Sequence, residues 1–237
     1  MKRRFRFRKI HGYGLALLVV LSLPFLWVIV AYGALPMFWT HHEHKKHDPH
    51  VAIVSYTHQD IPADPINLRL TGEANTIACI LGGAGWQKAD PVSLNTSFGI
   101  VGSVLFKFPY TRAPVSPLFV DGRPQDFAFE HLEGASADKR HHVRFWQIGP
   151  HDWYAAGTFD RGVGVSLFTL QVTHHIGPDI DRDRDAIADI LHVSGAVEQS
   201  VENDQLANNK VHRNGGGDKY YTDGRIRTFV LPIACKR

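Results

Sequence analysis

The N-terminal residues constrain the fold most strongly, because 21 consecutive residues, Leu15–Leu35, carry no charged side chain. A helix of that length spans roughly 30 Å, which is the thickness of the hydrocarbon core of a bilayer. Six basic and no acidic residues lie within residues 1–9, whereas only Lys45 and Lys46 follow the span closely. This asymmetry predicts a single-pass anchor in the bacterial inner (plasma) membrane, with the N-terminus cytoplasmic. The alternative is a cleaved signal peptide, with Ala31–Gly33 as the small-residue cleavage site.

The basic tail also accounts for the net charge of +3 of the 237-residue chain. Without residues 1–9 the chain has 20 basic and 23 acidic groups, so the rest of the protein is slightly acidic. This distribution argues against nucleic acid as a partner, because nucleic-acid-binding domains concentrate basic groups on the domain itself. The length suits one globular domain of ordinary size with a real hydrophobic core.

Four segments follow from these patterns. They are a basic cytoplasmic tail at 1–12, a transmembrane anchor at 13–39, a His-rich linker at 40–62 and an extracytoplasmic domain at 63–237. The linker holds five histidines between residues 41 and 50. Such a run could chelate a soft transition metal, although a solvated juxtamembrane linker is the interpretation that we favour.

The domain is predicted to be α+β, with a mostly antiparallel sheet and a few packed helices, because strand-like runs dominate. Strands are predicted at Ile66–Leu70, Leu118–Val120, Phe127–Phe129, His141–Ile148, Trp153–Asp160, Val165–Ile176 and Arg225–Ile233. Helices are predicted after an N-cap at Thr71, at Ser93–Phe108 and at Asp179–His192. Asp121-Gly122 is a hairpin signal, Arg161–Gly164 is predicted to be a turn, and the polar residues 198–219 are predicted to be a loop.

Histidine pairs occur in two of the strand-like runs, and successive residues of a strand face opposite ways. His142 therefore shares a face with Arg144 and Trp146, and we expect that face to be polar. In the later run, His175 is predicted to face the polar side. His174 is predicted to face the apolar side, so His174→Ala is expected to destabilise the fold more than His175→Ala.

A simple three-stranded meander would separate the two histidine pairs. His142 would lie beside Asp160 and Arg161 at one edge, whereas His175 would lie beside Asp179 at the other. Seven or eight residues of strand put these groups roughly 25 Å apart, which is too far for a shared metal site. A different strand pairing would bring them together, so this geometry is conditional.

These residues suggest acid/base and anion-binding roles. His142 or His175 would act as general acid/base with Asp160 orienting the ring, since imidazole titrates near neutral pH. Arg144 and Arg161 would hold an anion, with Trp146 as a further ligand contact.

No cofactor can be named from the sequence, and any metal remains undetermined. Candidate metal ligands are His174, His175, Asp179 and Asp181. The two aspartates have an alternative role, because acids in the first turn of a helix stabilise its macrodipole.

The two cysteines, Cys79 and Cys235, also leave two interpretations open. They could form a disulfide outside the cytoplasm. Alternatively, Cys79 is a small core residue and Cys235 a thiol in a loose tail.

Several motifs resemble the LssY C-terminal domain family, which is named after a proposed type I secretion component. The matching segments are Asp64–Leu68, Ala84–Pro91, Ala113–Leu118, Gln125–Glu130, His141–Trp146, Thr158–Gly164, Thr173–Asp181 and Arg184-Asp185. The resemblance covers residues 63–193 and implies no established activity. In larger members this domain follows segments resembling lipid-phosphate phosphatase and DedA-type modules, which this chain lacks, so a link to lipid phosphates is only an association.

Two functions remain at this point. The favoured one is a binding or scaffold module that docks an anionic lipid headgroup or an envelope protein, with the bilayer contacted through the anchor. The alternative is a His-dependent hydrolase of a phosphorylated envelope substrate. Binding is favoured because the sequence contains no Gly-x-Ser-x-Gly, His-Glu-x-x-His or Walker motif.

Overall fold

The N-terminal part of the protein is one continuous helical run. The computed structural model describes residues 3–43, 53–91, 110–134, 138–203 and 211–235. The run consists of α1 (Arg3–Ile29), a π-helical turn (Val30–Ala34) and α2 (Leu35–Glu43). It contains the one helix among the described residues that is long and apolar enough to cross a membrane, Tyr13–His42, with a mean hydropathy of 2.6. The expected N-terminal apolar helix is thus confirmed.

The rest of the described chain contains fourteen strands and two further helices. The helices are α3 (Ala74–Gly83) and α4 (Ile180–Val193). The strands are β1 (Val54–Tyr56), β2 (Pro62–Pro65), β3 (Leu68–Thr71), β4 (Gln87–Lys88), β5 (Phe119–Val120), β6 (Arg123–Pro124), β7 (Phe127–Leu132), β8 (Arg140–Gln147), β9 (Asp152–Val165), β10 (Val172–Ile176), β11 (Val197–Asn203), β12 (His212–Arg213), β13 (Lys219–Tyr220) and β14 (Arg225–Val230). The predicted helix Ser93–Phe108 and most of the His-rich run 41–50 lie outside the described residues.

The strands form one large sheet and two small ones. The large sheet has the order β11-β14-β3-β9-β8-β7-β4, and β10 pairs with the C-terminal part of β9, from Asp160 to Val165. Its neighbours are antiparallel except for the parallel pair β14 and β3. A four-stranded sheet has the order β2-β1-β5-β6, and β12 pairs with β13. The α+β prediction with a mostly antiparallel sheet is confirmed.

The large sheet is covered on both faces. Helices α3 and α4 pack on one face, where Ile77 and Ile187 belong to the same apolar core as Phe145 of β8. Strand β8 turns its alternate residues to the other face, where Trp146 packs against Leu118 beside the four-stranded sheet. Because both faces of β8 and β9 are buried, the polar residues of these strands are also removed from water.

Strand β9 is longer than predicted, and this changes the position of the histidine pairs. The predicted turn Arg161–Gly164 continues as strand, so β9 runs for 14 residues. Asp160 pairs with Arg140 of β8 on one side and with Ile176 of β10 on the other. The three strands do pair as an antiparallel meander, but the 25 Å separation is wrong, because the end of β10 lies beside Asp160. Position 164 of this strand is a glycine because the ring of His175 occupies the space that a Cβ would need.

Three local predictions are also corrected. Helix α3 begins after Glu73 instead of Thr71, because Thr71 ends β3 and its hydroxyl donates to Asp152 at 2.8 Å. Within the predicted loop 198–219, β11 pairs with β14 along its length. The Asp121-Gly122 turn is confirmed, with both residues at positive φ, but it joins β5 to β6 while the following Phe127–Phe129 run belongs to the large sheet.

A disulfide decides between the two interpretations of the cysteines. Cys79 of α3 and Cys235, just after β14, are bonded with an S–S distance of 2.12 Å. The bond closes a loop across 156 positions of sequence. It ties the helical layer to the end of a central strand of the large sheet.

Reduction of this disulfide is expected to destabilise the domain. Closing so long a loop limits the unfolded chain, which corresponds to about 4–5 kcal/mol in the chain-entropy description. Thermal unfolding of the detergent-solubilised chain should therefore shift to lower temperature when a reductant is added. The Cys79→Ser/Cys235→Ser double variant should melt at the lower temperature with or without reductant. A wild-type melting temperature that does not respond to reductant would contradict this role.

Candidate functional site

Three cationic side chains follow one another on the same face of β8. Arg140, His142 and Arg144 occupy alternate positions and are only 1%, 2% and 6% exposed. They lie on the face of the large sheet opposite the helices. Burying charged groups is costly unless they are paired, so their partners determine what this row of residues can do.

Arg140 is fully paired. Its Nε donates to Asp160 at 3.0 Å, and its Nη1 donates to Glu130 at 2.6 Å. Nη1 also donates to the carbonyl oxygen of Ala113 at 3.1 Å, and Nη2 donates to that of Pro114 at 3.2 Å. Each guanidinium nitrogen therefore has a partner, and Arg140 acts as a structural support beneath the site.

His142 lies between a hydroxyl, a guanidinium and a carboxylate. Its Nε2 is 2.7 Å from Thr158 Oγ1 and 2.6 Å from Arg144 Nη1, and its Nδ1 is 3.4 Å from Asp160 Oδ2. Burial lowers the pKa of His142, but the charge of Asp160 and the hydrogen bonds with Asp160 and Asp64 together outweigh burial and raise the pKa above its usual value. The charge of Arg144 acts in the other direction. Because a guanidinium can only donate, the 2.6 Å contact makes Nε2 the acceptor, whereas Nδ1 makes no hydrogen bond to a described residue.

Arg144 is only partly paired. Its Nη1 donates to Asp64 at 2.6 Å, and its Nε donates to the carbonyl oxygen of Ser116 at 3.3 Å. Its Nη2 makes no hydrogen bond to any residue that the structure describes, and Arg144 lines a cleft. One edge of a buried guanidinium is thus available to a ligand.

This cleft has a volume of about 260 Å³ and a lining of both polar and apolar residues. Its floor consists of Asp64, Arg140, His142, Arg144 and Asp160. Polar wall residues include Ser166, Thr169, Gln171, His174 and Asn214. A cleft of this size, just below the usual range of roughly 300–1,000 Å³ for ligand pockets, fits a small polar group.

Two carboxylates near the floor have opposite pKa shifts. Burial raises the pKa of Asp160, but the charges of His142 and His174 outweigh burial and hold the pKa well below its usual range. Burial raises the pKa of Glu130 to about 7, although Arg140 opposes the shift. Asp160 is therefore ionised at neutral pH, whereas Glu130 exchanges a proton near neutrality.

The structure brings some of the predicted site residues together and separates others. His142, Arg144 and Asp160 meet at the floor of the cleft. His175 and Arg161 meet elsewhere, where both contact Asp218, at 2.8 and 3.3 Å. Trp146 is 2% exposed, belongs to the apolar core and donates to the carbonyl oxygen of Leu118 at 3.2 Å.

The four candidate metal ligands are dispersed. His174 lines the cleft, whereas His175 contacts Asp218. Asp179 is the N-cap of α4 and accepts from the backbone N–H of Arg182, and Asp181 accepts from Thr222. Across the described ranges, no three His, Cys, Asp or Glu side chains converge as metal ligands would.

The family profile described as LssY C-terminus matches residues 49–226. The chain belongs to the LssY C-terminal family. This confirms the resemblance and extends it on both sides of residues 63–193. No curated protein and no solved structure matches this LssY C-terminal domain.

Sequence reasoning missed several members of the buried cluster in this LssY C-terminal domain. Arg140 could have been predicted, because it precedes His142 by two positions in a strand and therefore lies on the same face. Glu130 and Thr158 could not have been predicted, since they flank His142 only through the pairing of β7 and β9 with β8. Asp64 comes from a separate strand, β2, and no spacing pattern connects it to Arg144.

The expected orientation of the later histidine pair is reversed in the LssY C-terminal domain. His174, which was expected on the apolar side, lies half-buried at the cleft, and its neighbour on the same face, Val172, is 54% exposed. His175 instead packs on Gly164 and bonds the nearly buried Asp218. The face that seemed apolar from its aliphatic residues is the wall of the cleft.

The structure therefore predicts the opposite order of stabilities for the two alanine variants. His175→Ala removes a packed ring and the 2.8 Å contact with Asp218, so it should cost about 1–2 kcal/mol of unfolding free energy. His174→Ala should cost less than His175→Ala, because the side chain of His174 lines the cleft instead of the hydrophobic core. Urea unfolding of the two variants in the same detergent measures both values. A larger loss for His174→Ala would contradict the assignment of the two rings.

The stability of the LssY C-terminal domain should also depend on Glu130 protonation. Its pKa of about 7 lies above the usual 4.5, so the folded state binds the proton more tightly than the unfolded state. The unfolding free energy should therefore fall as pH rises from about 4.5 to about 7, by up to about 3 kcal/mol. Denaturant unfolding across this range should show a smaller decline for Glu130→Gln. Glu133→Gln, at an exposed position on the same segment, should retain the wild-type slope, and equal slopes for all three proteins would contradict the assignment.

Proposed function

We propose that the domain binds a small anionic ligand in the cleft, with Arg144 as the main anion contact. The observation that carries this proposal is the Nη2 group of Arg144, which is part of a buried, oriented side chain and makes no hydrogen bond to the described residues. A guanidinium fixed at one edge presents its remaining N–H groups in a defined plane. That geometry matches the oxygens of a phosphate or carboxylate group.

The charges of the floor support an anion over a cation. Arg140 and Arg144 balance Asp64 and Asp160, to which they are bonded. When Glu130, which is bonded to Arg140, is protonated as well, protonation of either His142 or His174 leaves the floor positive. A bound anion would favour these protonated rings, so ligand binding and proton uptake should be linked.

The free-energy cost of burying the ionisable side chains around the cleft also supports a binding role. Buried ion pairs are often no more stabilising than apolar residues of similar volume, because desolvation offsets the Coulomb attraction. Here at least five ionisable side chains, all less than one-tenth exposed, surround one small cleft. Perturbed and buried ionisable groups beside a cleft are typical of functional sites.

We infer that the domain is held at the outer face of the bacterial inner membrane, with its N-terminus in the cytoplasm. The charge asymmetry around Leu15–Leu35 supports this orientation. The Cys79–Cys235 disulfide supports an oxidising compartment for the domain. The bilayer is then the partner of the apolar helix.

Hydrolysis of a phosphorylated substrate is a second candidate, favoured by the order of groups around His142. Thr158, His142 and Asp160 form a hydroxyl–imidazole–carboxylate series. Thr158 is 1% exposed and does not line the cleft, so the hydroxyl is poorly placed to attack a ligand. In a hydrolytic mechanism the nucleophile would be water, with His142 or His174 as general base.

Calorimetric titration of the purified chain with glycerol 3-phosphate tests the binding proposal, with glycerol as the uncharged comparison. The wild type should bind the phosphate compound and not glycerol. Arg144→Gln should weaken binding at least tenfold, which corresponds to about 1.4 kcal/mol. Arg161→Gln is the matched control, because it removes an arginine outside the cleft that also contacts an aspartate.

Two results would change the conclusion. Equal affinity of wild type and Arg144→Gln would contradict binding through Arg144. Release of inorganic phosphate from glycerol 3-phosphate or from other phosphoesters, lost in His142→Gln, would support hydrolysis instead.

A further inference from the structure

The cleft adjoins a second cavity that lies against the apolar helix. This groove has a volume of about 770 Å³ and runs between α2 and the turn that follows β1. Pro36, Met37 and Thr40 form its helical side. His41 also lies on the helical side, and His58, Gln59 and Asp60 form the other side. His58 and Gln59 line the cleft as well. The polar cleft and the groove are therefore neighbours with a shared wall.

The loop between β9 and β10 separates polar from apolar side chains at this place. Ser166, Thr169 and Gln171 line the cleft. Leu167 and Leu170 of the same loop are 65% and 39% exposed. The loop thus provides one wall of the cleft and exposes an apolar edge beside it.

The same loop is fixed to the end of the apolar helix. Trp39 Nε1 donates to the carbonyl oxygen of Phe168 at 2.7 Å, and their rings are 4.8 Å apart. The hydroxyl oxygen of Tyr32 accepts from the backbone N–H of Val172 at 3.4 Å. Both contacts hold the loop to the helix on the side where the chain leaves the apolar span.

The position of these contacts along the helix defines their depth relative to the membrane. The charge-free span ends at Leu35, and Tyr32 and Trp39 lie on either side of that end. Tyrosine and tryptophan side chains prefer the interface between hydrocarbon and headgroups. If Leu15–Leu35 spans the bilayer, the exposed leucines of the loop and Met37, which is 74% exposed, lie at the level of the lipid headgroups.

We propose that the ligand of the cleft is the phosphate headgroup of a lipid that remains in the membrane. The headgroup lies on Arg144 in the cleft, and the upper part of its chains lies in the groove beside Met37. The apolar edge of the β9–β10 loop rests in the same leaflet and keeps the mouth of the cleft at the membrane surface. This inference rests on the proposed function, because it assigns a membrane source to the anion that the cleft binds.

Competition inside a bilayer tests this proposal with the full chain. The protein is placed in nanodiscs of phosphatidylcholine, with or without a minor fraction of phosphatidate, whose headgroup is a phosphate monoester. Binding of glycerol 3-phosphate is then measured in both kinds of disc. We expect the phosphatidate discs to weaken the apparent affinity about tenfold, because the lipid headgroup occupies the cleft.

Two variants separate a lipid in the groove from simple repulsion by a negative surface. Met37→Glu should restore most of the affinity lost in phosphatidate discs, since it disrupts the chain groove. Val193→Glu adds the same charge at a site that is 90% exposed, at the end of α4, and should behave like the wild type.

Each remaining outcome is decisive. If glycerol 3-phosphate binds equally well in both kinds of disc, the lipid proposal is overturned and the proposed function stands. If Met37→Glu and Val193→Glu behave alike, the loss is due to repulsion and the lipid proposal is overturned as well. If glycerol 3-phosphate binds in no disc, the proposed function fails and this inference fails with it.

Discussion

The rest of the site depends on the hydrogen bonds and ion pairs that the guanidinium group of Arg140 makes. It joins β8 to Glu130 of β7 and Asp160 of β9, and it also holds the carbonyl oxygens of Ala113 and Pro114. Removal of this group would leave two carboxylates buried without their main partner, a costly state in a low dielectric. Arg140 thus links three adjacent strands and a covering loop at the floor of the cleft.

One face of β8 and β9 is apolar in one part and charged in another. Near Trp146 and Ala156 it is apolar and packs against Leu118 and Val120 beside and within the small sheet. A few residues away the same face carries the buried charges, and there it forms the floor of the cleft. The apolar part gains free energy by burial and so positions the small sheet, whose β2 contributes Asp64 to the charged part.

The sequence predicted features that depend on local periodicity and failed where distant strands meet. The alternation in β8 correctly placed His142 with Arg144, and the acidic N-cap and apolar side of α4 predicted its bounds within one or two residues. The continuation of β9 could not be predicted, because Gly162 and Gly164 are typical turn residues. Both glycines pair with β10, and at position 164 the ring of His175, a residue of β10, occupies the space that a Cβ would need. The pairing of Asp160 with both neighbours followed from that continuation.

The parallel pair of β3 and β14 has a consequence for the timing of folding. β3, which contains the completely buried Leu68, is the first strand of the large sheet to be synthesised, and β14 is the last. Until residues 225–230 exist, one edge of β3 has no partner, and the backbone groups of Asn67 and Thr71 that bond Arg227 and Leu231 remain unpaired. The central sheet therefore cannot close around an N-terminal fragment, and nearly the whole chain must leave the ribosome before the domain reaches its folded state.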